Sequence, residues 1–442
     1  MNARFFSLLA GALACLLPLR SAWALLPIQH WTLDNGARVY FVENRALPMI
    51  DVSVDFPAGH ARDSRATSGT ANLAIGLMRM GAGGLSESEL SARLADVGAQ
   101  MSTRFDPDRS GYQLRTLSSP AEREQAVGVL ARVLLEPAFP EPVLSREKER
   151  LLAGLREADT KPETTAERAF AAALFRDHPY GLRAAGELDS VPRITRDDVI
   201  AFYRRWMRSD WAVVAIMGDL SRADADALAR RLTAGLPRAD GPLPALAPVT
   251  PLPAAAERRI PHPASQSHIL VGQPGLRRND PDYFPLFVGN YVLGGGGFAS
   301  RLVDEVRQKR GLAYSSYSYF APYAELGPFQ MGLQTKKEQA DEALAVVRET
   351  LARFVREGPT EKELEAARSN LVGGFPLRID SNRKIHDYLG TIGFYHLPLD
   401  YLDQFVPAIE AVTVEQVRDA FRRRLDPGRM VTVVVGPQPP KP

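Results

Sequence analysis

The chain is poor in the residues that usually announce chemistry. Of its 442 residues one is cysteine, Cys15, and it lies in an N-terminal segment that reads as a signal. Cleavage after Ala24 leaves no thiol, so disulfides are excluded and stability must come from packing, even in an oxidising compartment. Charge of one sign is missing too. Arg4 and Arg20 supply the whole formal excess of +2, and without them 52 basic residues face 52 acidic ones. Nothing in that balance calls for nucleic acid or an anionic membrane. The seven histidines are His30, His60, His178, His262, His268, His386 and His396, and no two are three or four apart, so no helix presents a paired imidazole site. No Gly-Lys-Ser/Thr follows the glycine run at 294–297, which argues against a phosphate loop.

The one long apolar run opens the chain. Arg4 forms a positive start, Phe5 to Leu17 is apolar, and Ala22-Trp23-Ala24 is a small-x-small cleavage site. This predicts a secretory signal over 1–24 and a periplasmic or secreted product with no membrane span after cleavage. A retained anchor is the competing reading, but the run is short for a span of about 20 apolar residues. A lipoprotein signal at Cys15 is a poor match.

What is present is a repeat. Thr195 to Gly218 lies over Thr413 to Gly436 without a gap, at an offset of 218 residues. Each copy has a threonine N-cap, an amphipathic helix with acid in its first turn, and a β-branched strand closed by glycine. Pro237 to Ala256 is dense in proline and alanine and reads as an extended linker. The expected organisation is a first domain over 25–236, a linker over 237–257 and a second domain over 258–442. Asp34-Asn35-Gly36 marks a turn before a strand at 39–43, and 50–56 alternates toward a second. Helices are expected near 70–80, 86–97, 121–135, 142–158, 281–292 and 300–308, with strands near 101–105, 112–117, 268–272 and 313–320. The fold class is α+β, two homologous domains, each a mainly antiparallel sheet covered on one side by helices. The arginine runs 204–205 and 422–424 read as solvated helix faces.

Several segments carry a family likeness: Thr32-Leu33-Asp34-Asn35-Gly36, His178-Pro179-Tyr180-Gly181 followed by 194–219, Ser300-Arg301-Leu302 leading into 305–315, and the close at 431–437. In this order and spacing they resemble the pitrilysin/insulinase family of zinc metallopeptidases, near the mitochondrial-processing-peptidase-like branch. The resemblance implies half of a clamshell chamber. It also implies an inverted His-x-x-Glu-His helix motif that would hold zinc, with a glutamate further along as third ligand. Here that motif falls on Asn72 to Gly76, and the third ligand falls near Ala153 or Gly154. Asn72, Ile75, Gly76 and Ala153 are therefore read as former zinc-motif positions. No metal and no cofactor is expected in this chain; the zinc would belong to a partner.

The likeness also implies an arginine and a tyrosine seven residues apart, offered by the second domain to the zinc site of a facing partner. Arg307 and Tyr314 have that spacing. A guanidinium can hold a substrate carbonyl and a phenol can donate to a forming oxyanion; the competing reading is a helix-end arginine and a sheet tyrosine in the core. In a regular strand Tyr319 would point away from the face of Tyr314. Gly294, Gly295, Gly296 and Gly297 resemble a glycine-rich loop that admits peptide substrate, against a reading as a tight backbone approach or hinge. The leading expectation is a non-catalytic subunit that binds peptides beside a homologous zinc-bearing subunit. The alternatives are a structural or binding homologue, and an autonomous peptidase with unrecognised ligands.

Overall fold

A computed structural model describes residues 27–437. The signal segment, and with it the call on cleavage, lies outside the described residues. Two sheets organise the chain. The first is built from β1 (Gln29–Thr32), β2 (Arg38–Glu43), β3 (Met49–Phe56), β6 (Gln100–Phe105), β7 (Ser110–Leu117) and β8 (Val213–Gly218), in the order β1-β2-β8-β3-β7-β6. A small hairpin, β4 (Gly81–Ala82) and β5 (Leu85–Ser86), stands apart from it. The second sheet has β9 (Ala256–Pro261), β10 (Gln266–Leu276), β11 (Ala313–Phe320), β12 (Gly327–Lys336) and β13 (Val431–Gly436), in the order β11-β12-β10-β13-β9.

With β1 set aside and the second sheet read from β9, the two orders correspond strand for strand. In each sheet one strand from the end of the half slips between the first two long strands, parallel to one and antiparallel to the other. These inserted strands are β8 and β13, the strands of the sequence repeat. The capping boxes read from sequence form as well: Thr195 and Thr413 each accept from the backbone three residues on.

Both faces of β8 and β13 are buried, which explains their unbroken apolar runs. On one face each sheet packs against helices of its own half. The other face carries a helix lent by the opposite half, which sequence reading did not anticipate. Helix Pro162–Phe175 places Ala166, Phe170 and Leu174 against Leu270, Val431, Val433 and Val435 of the second sheet. Helix Asn382–Phe394 places Leu389 and Ile392 among Tyr40, Val213, Ala215 and Met217 of the first. Glycines permit the contact: a Cβ on Gly393 would lie 2.7 Å from Tyr40 and Val213. Residues 236–255, which lead into the second sheet, have neither helix nor strand, and they are tied down by Arg62 to the Pro244 carbonyl at 2.7 Å and by His178 to the Ala247 carbonyl at 2.8 Å.

One sequence expectation is corrected here. The arginines at 422–424 are not simply solvated. Arg423 grips Asp282 through two nitrogens, and Arg424 reaches both Asp282 and Asp280. They tie the last helix, Val414–Arg424, to the start of helix Tyr283–Asn290.

Candidate functional site

Helix Thr70–Leu77 carries the degenerate motif. Asp63 fixes its start, its carboxylate accepting from the N–H groups of Gly69 at 2.9 Å and Ala71 at 3.0 Å. Burial drives the Asp63 carboxyl up to about 7, against the pull of those two N–H groups. Asn72 and Gly76 lie half-buried one turn apart, whereas Ile75 is 2% exposed and packed in the first core. The Ile75 carbonyl accepts from the buried Tyr112 hydroxyl. Ala153 is exposed on helix Glu141–Ala158.

A zinc ion does not fit this donor set. Catalytic zinc takes three imidazole, carboxylate or thiolate ligands and an open position, and these four side chains offer one neutral amide. There is room but no chemistry: a Cβ on Gly76 or on Gly154 would meet nothing within 4 Å. Among the described residues no group of three His, Cys, Asp or Glu could hold a metal ion. Histidines elsewhere are occupied with the fold. His178 Nδ1 accepts from the Tyr180 N–H at 3.1 Å, leaving Nε2–H to donate to Ala247. His60 and His386 are buried, and burial lowers both to about 4, so they are neutral near pH 7.

The second half differs. Arg307 and Tyr314 are together at the surface: the guanidinium lies 4.4 Å over the Tyr314 ring and 4.8 Å from that of Phe298. Tyr314 is 81% exposed and Phe298 is 70% exposed. Two π-helical turns, Tyr291–Gly295 and Asp304–Gln308, frame the cluster; such turns are frequent at functional sites. Neighbouring cations are consumed elsewhere. Burial disfavours the Glu305 carboxylate, but Arg310, Arg353 and Lys309 outweigh it and hold the group down at about 2. Among the described residues Arg307 forms no ion pair, so its charge is free to meet a ligand.

A bulge aims Tyr314. Ala313 and Ser316 of β11 stand opposite Thr335 and Leu333 of β12, so one extra residue is inserted at 314–315. The insertion resets the alternation. Ser316 and Ser318 are buried, Tyr317 and Tyr319 stack at 6.0 Å on the open face, and Tyr314 and Tyr317 line one cavity of about 420 Å³. The expectation that Tyr319 faces away from Tyr314 is therefore corrected, because the strand is not regular there. That cavity also receives Glu163, Glu167 and His268, which sequence reading did not connect with Tyr314.

The glycine run divides in two. A Cβ on Gly294 would lie 2.4 Å from Ser318 Oγ and 2.7 Å from Leu302, so Gly294 serves close packing. Gly295 and Gly296 would collide with Asn290 and Tyr291 of their own turn. Gly297 is exposed, has φ +57°, and faces open space. It delivers Phe298 to Arg307, a role sequence reading missed; an exposed aromatic after a glycine run was the available signal.

Comparison with known proteins agrees with this geometry. Residues 38–187 match the family described as Insulinase (Peptidase family M16), and residues 193–371 match the Peptidase M16 inactive domain. A crystal structure described as the peptidase M16 inactive domain from Pseudomonas fluorescens superposes with a TM-score of 0.90 at 37% identity, covering 94% of this chain and 99% of that one. An uncharacterized zinc protease of Streptomyces coelicolor is 26% identical over 420 residues, 93% of this chain and 90% of its own length. A non-peptidase homolog of Helicobacter pylori is 26% identical over 406 residues, 90% of this chain and 91% of its own.

Proposed function

The chain belongs to peptidase family M16, the insulinase family, and on that premise we propose that it is the non-catalytic subunit of a periplasmic heterodimeric metallopeptidase. A homologous partner would hold the zinc, and this chain would help bind the peptide. The observation that carries the reading is the surface stack of Phe298, Arg307 and Tyr314, with a cation that forms no ion pair among the described residues. A half-buried guanidinium beside two exposed aromatic rings has N–H groups left to donate to a peptide carbonyl. The Tyr314 hydroxyl, swung out by the bulge, donates to the oxygen that gains charge as water attacks that carbonyl. Both groups stabilise the transition state and neither needs metal from this chain. The signal-like segment supports the periplasmic placement, and among the described residues no helix is long and apolar enough to cross a membrane.

Mixing tests the reading. Purified alone, the chain cleaves no peptide; adding the zinc-bearing homologue gives metal-dependent activity that neither has alone. Wild-type joint rates in both Arg307→Ala and Tyr314→Phe would remove the in-trans role. A second reading, a binding homologue with no part in proteolysis, is favoured by the likeness to a relative described as a non-peptidase. It gains if native co-purification brings down no partner with an intact inverted motif. Stoichiometric zinc in the isolated chain, by elemental analysis, would instead revive an autonomous peptidase.

A further inference from the structure

A cavity of about 650 Å³ lies where the first half, the connecting segment and the second half meet. That is the size range of small-molecule sites, which favour such junctions. Its wall is apolar in part, with Trp211, Leu246 and Phe394, and it carries four arginines. Arg277 is paired with Glu325. The other three form no ion pair among the described residues. Arg38 donates to the Gly393 carbonyl at 2.8 Å and to His396 Nδ1 at 3.0 Å. Arg62 donates to the carbonyls of Pro57 at 3.1 Å and Pro244 at 2.7 Å. Arg278 lies 5.0 Å over the Tyr395 ring, and its Nε is buried without a partner.

The acids of the same wall offset them only in part: Asp108 acts on Arg62, but desolvation of Arg62 outweighs it. Asp280 is held by Arg424 at 2.7 Å. Asp108 accepts from the hydroxyls of Tyr180 and Tyr395 and from the Ala324 N–H, and burial raises its carboxyl. Asp210, which accepts from the Ala239 N–H, is the remaining carboxylate of the wall and forms no ion pair with the three arginines among the described residues. Burying a cation without a counter-charge is unfavourable. Burial accordingly lowers Arg38 and brings Arg62 down to about 10. An entering anion would turn those desolvated donors into charge-assisted hydrogen bonds. The surplus is small and the wall is aromatic, which suits one negative charge on an apolar body better than a phosphate.

We propose that this cleft binds a carboxylate carried on an apolar group, as in the free C-terminus of a peptide ending in an apolar residue, with Arg38, Arg62 and Arg278 as its donors. Because the three come from both halves, occupancy would hold the halves together. The test is calorimetric titration of the full chain with hippurate, hippuramide, and a tetrapeptide ending in phenylalanine as free acid or amide. The free acids should bind one to one and the amides at least about tenfold more weakly. Saturation by hippurate as well as peptide identifies a small organic acid as sufficient; saturation by the peptide acid alone identifies the chain terminus. Arg38→Gln and Arg278→Gln should each weaken binding about tenfold with unchanged circular dichroism, while Arg307→Ala leaves it intact, which separates this site from the in-trans role. Equal binding of acid and amide by the wild type overturns the proposal, whatever the variants do. So does no saturation by about 10 mM, inorganic phosphate binding as tightly as hippurate, or wild-type binding by both arginine variants.

Discussion

In the first half, the positions that would hold a metal have become packing: Ile75 is in the core, Gly76 faces empty space and Ala153 faces solvent. In the second half, Phe298 and Tyr314 stand exposed beside the half-buried Arg307, a cation with no ion pair among the described residues. Packing accounts for Ile75, and Gly76 and Ala153 carry no donor for a metal. Packing does not explain the second region, since an exposed apolar and cationic stack contributes little to folding. The difference supports the proposal that the second half carries the in-trans role, with the first half as its support.

The strongest way to break this comparison is kinetic. With the zinc-bearing partner present, Arg307→Ala or Tyr314→Phe should lower the joint peptidase rate by about 10²–10³-fold, measured as kcat/KM on a fluorogenic peptide. Their unfolding free energies should stay within about 0.5 kcal/mol of wild type. Ile75→Glu should behave in the opposite way. A carboxylate there enters the core without a partner and should cost about 3–5 kcal/mol in chemical denaturation, with no peptidase activity gained by the isolated chain.

The lent helices sharpen the contrast further. His386 on helix Asn382–Phe394 is fully buried beside the first sheet, near the charges of Asp51, Arg104 and Asp387. Burial lowers it from an unfolded value near 6.5 to about 4. The unfolded chain therefore takes up a proton that the native state refuses, and stability falls as pH drops from about 6.5 toward about 4. His386→Gln should remove about 3 kcal/mol of that acid loss, read as the wild-type minus variant difference between about pH 7 and about pH 4. The smallest expected effect is Gly297→Ala. Its φ of +57° with open space around it should cost about 1 kcal/mol, and a fall in joint activity beyond that cost would place the loop in contact with substrate.

Much of this was legible from sequence. The capping boxes at Thr195 and Thr413 and the apolar runs of β8 and β13 are local properties, and they formed as read. The pairing of Arg307 with Tyr314 was implied by the family resemblance, whose seven-residue spacing these two share, and the guanidinium does lie over the Tyr314 ring. Phe298 was overlooked because its contact with Arg307 depends on how the glycine turn folds back. The face of Tyr319 was misread because one residue inserted against β12 reverses the alternation, and nothing in β11 alone reveals the insertion.

Sequence by itself determined that no zinc site can form on helix Thr70–Leu77, because the ability to donate to a metal belongs to each side chain and survives any folding. Tertiary structure alone decided which cations are spent and which are free. Glu305 gathers three of them, and the cleft between the halves leaves three guanidiniums without an ion pair among the described residues. Pairing of charges depends on distances between segments far apart in the chain, set by the exchanged helices and the bulge, and local pattern carries no record of them.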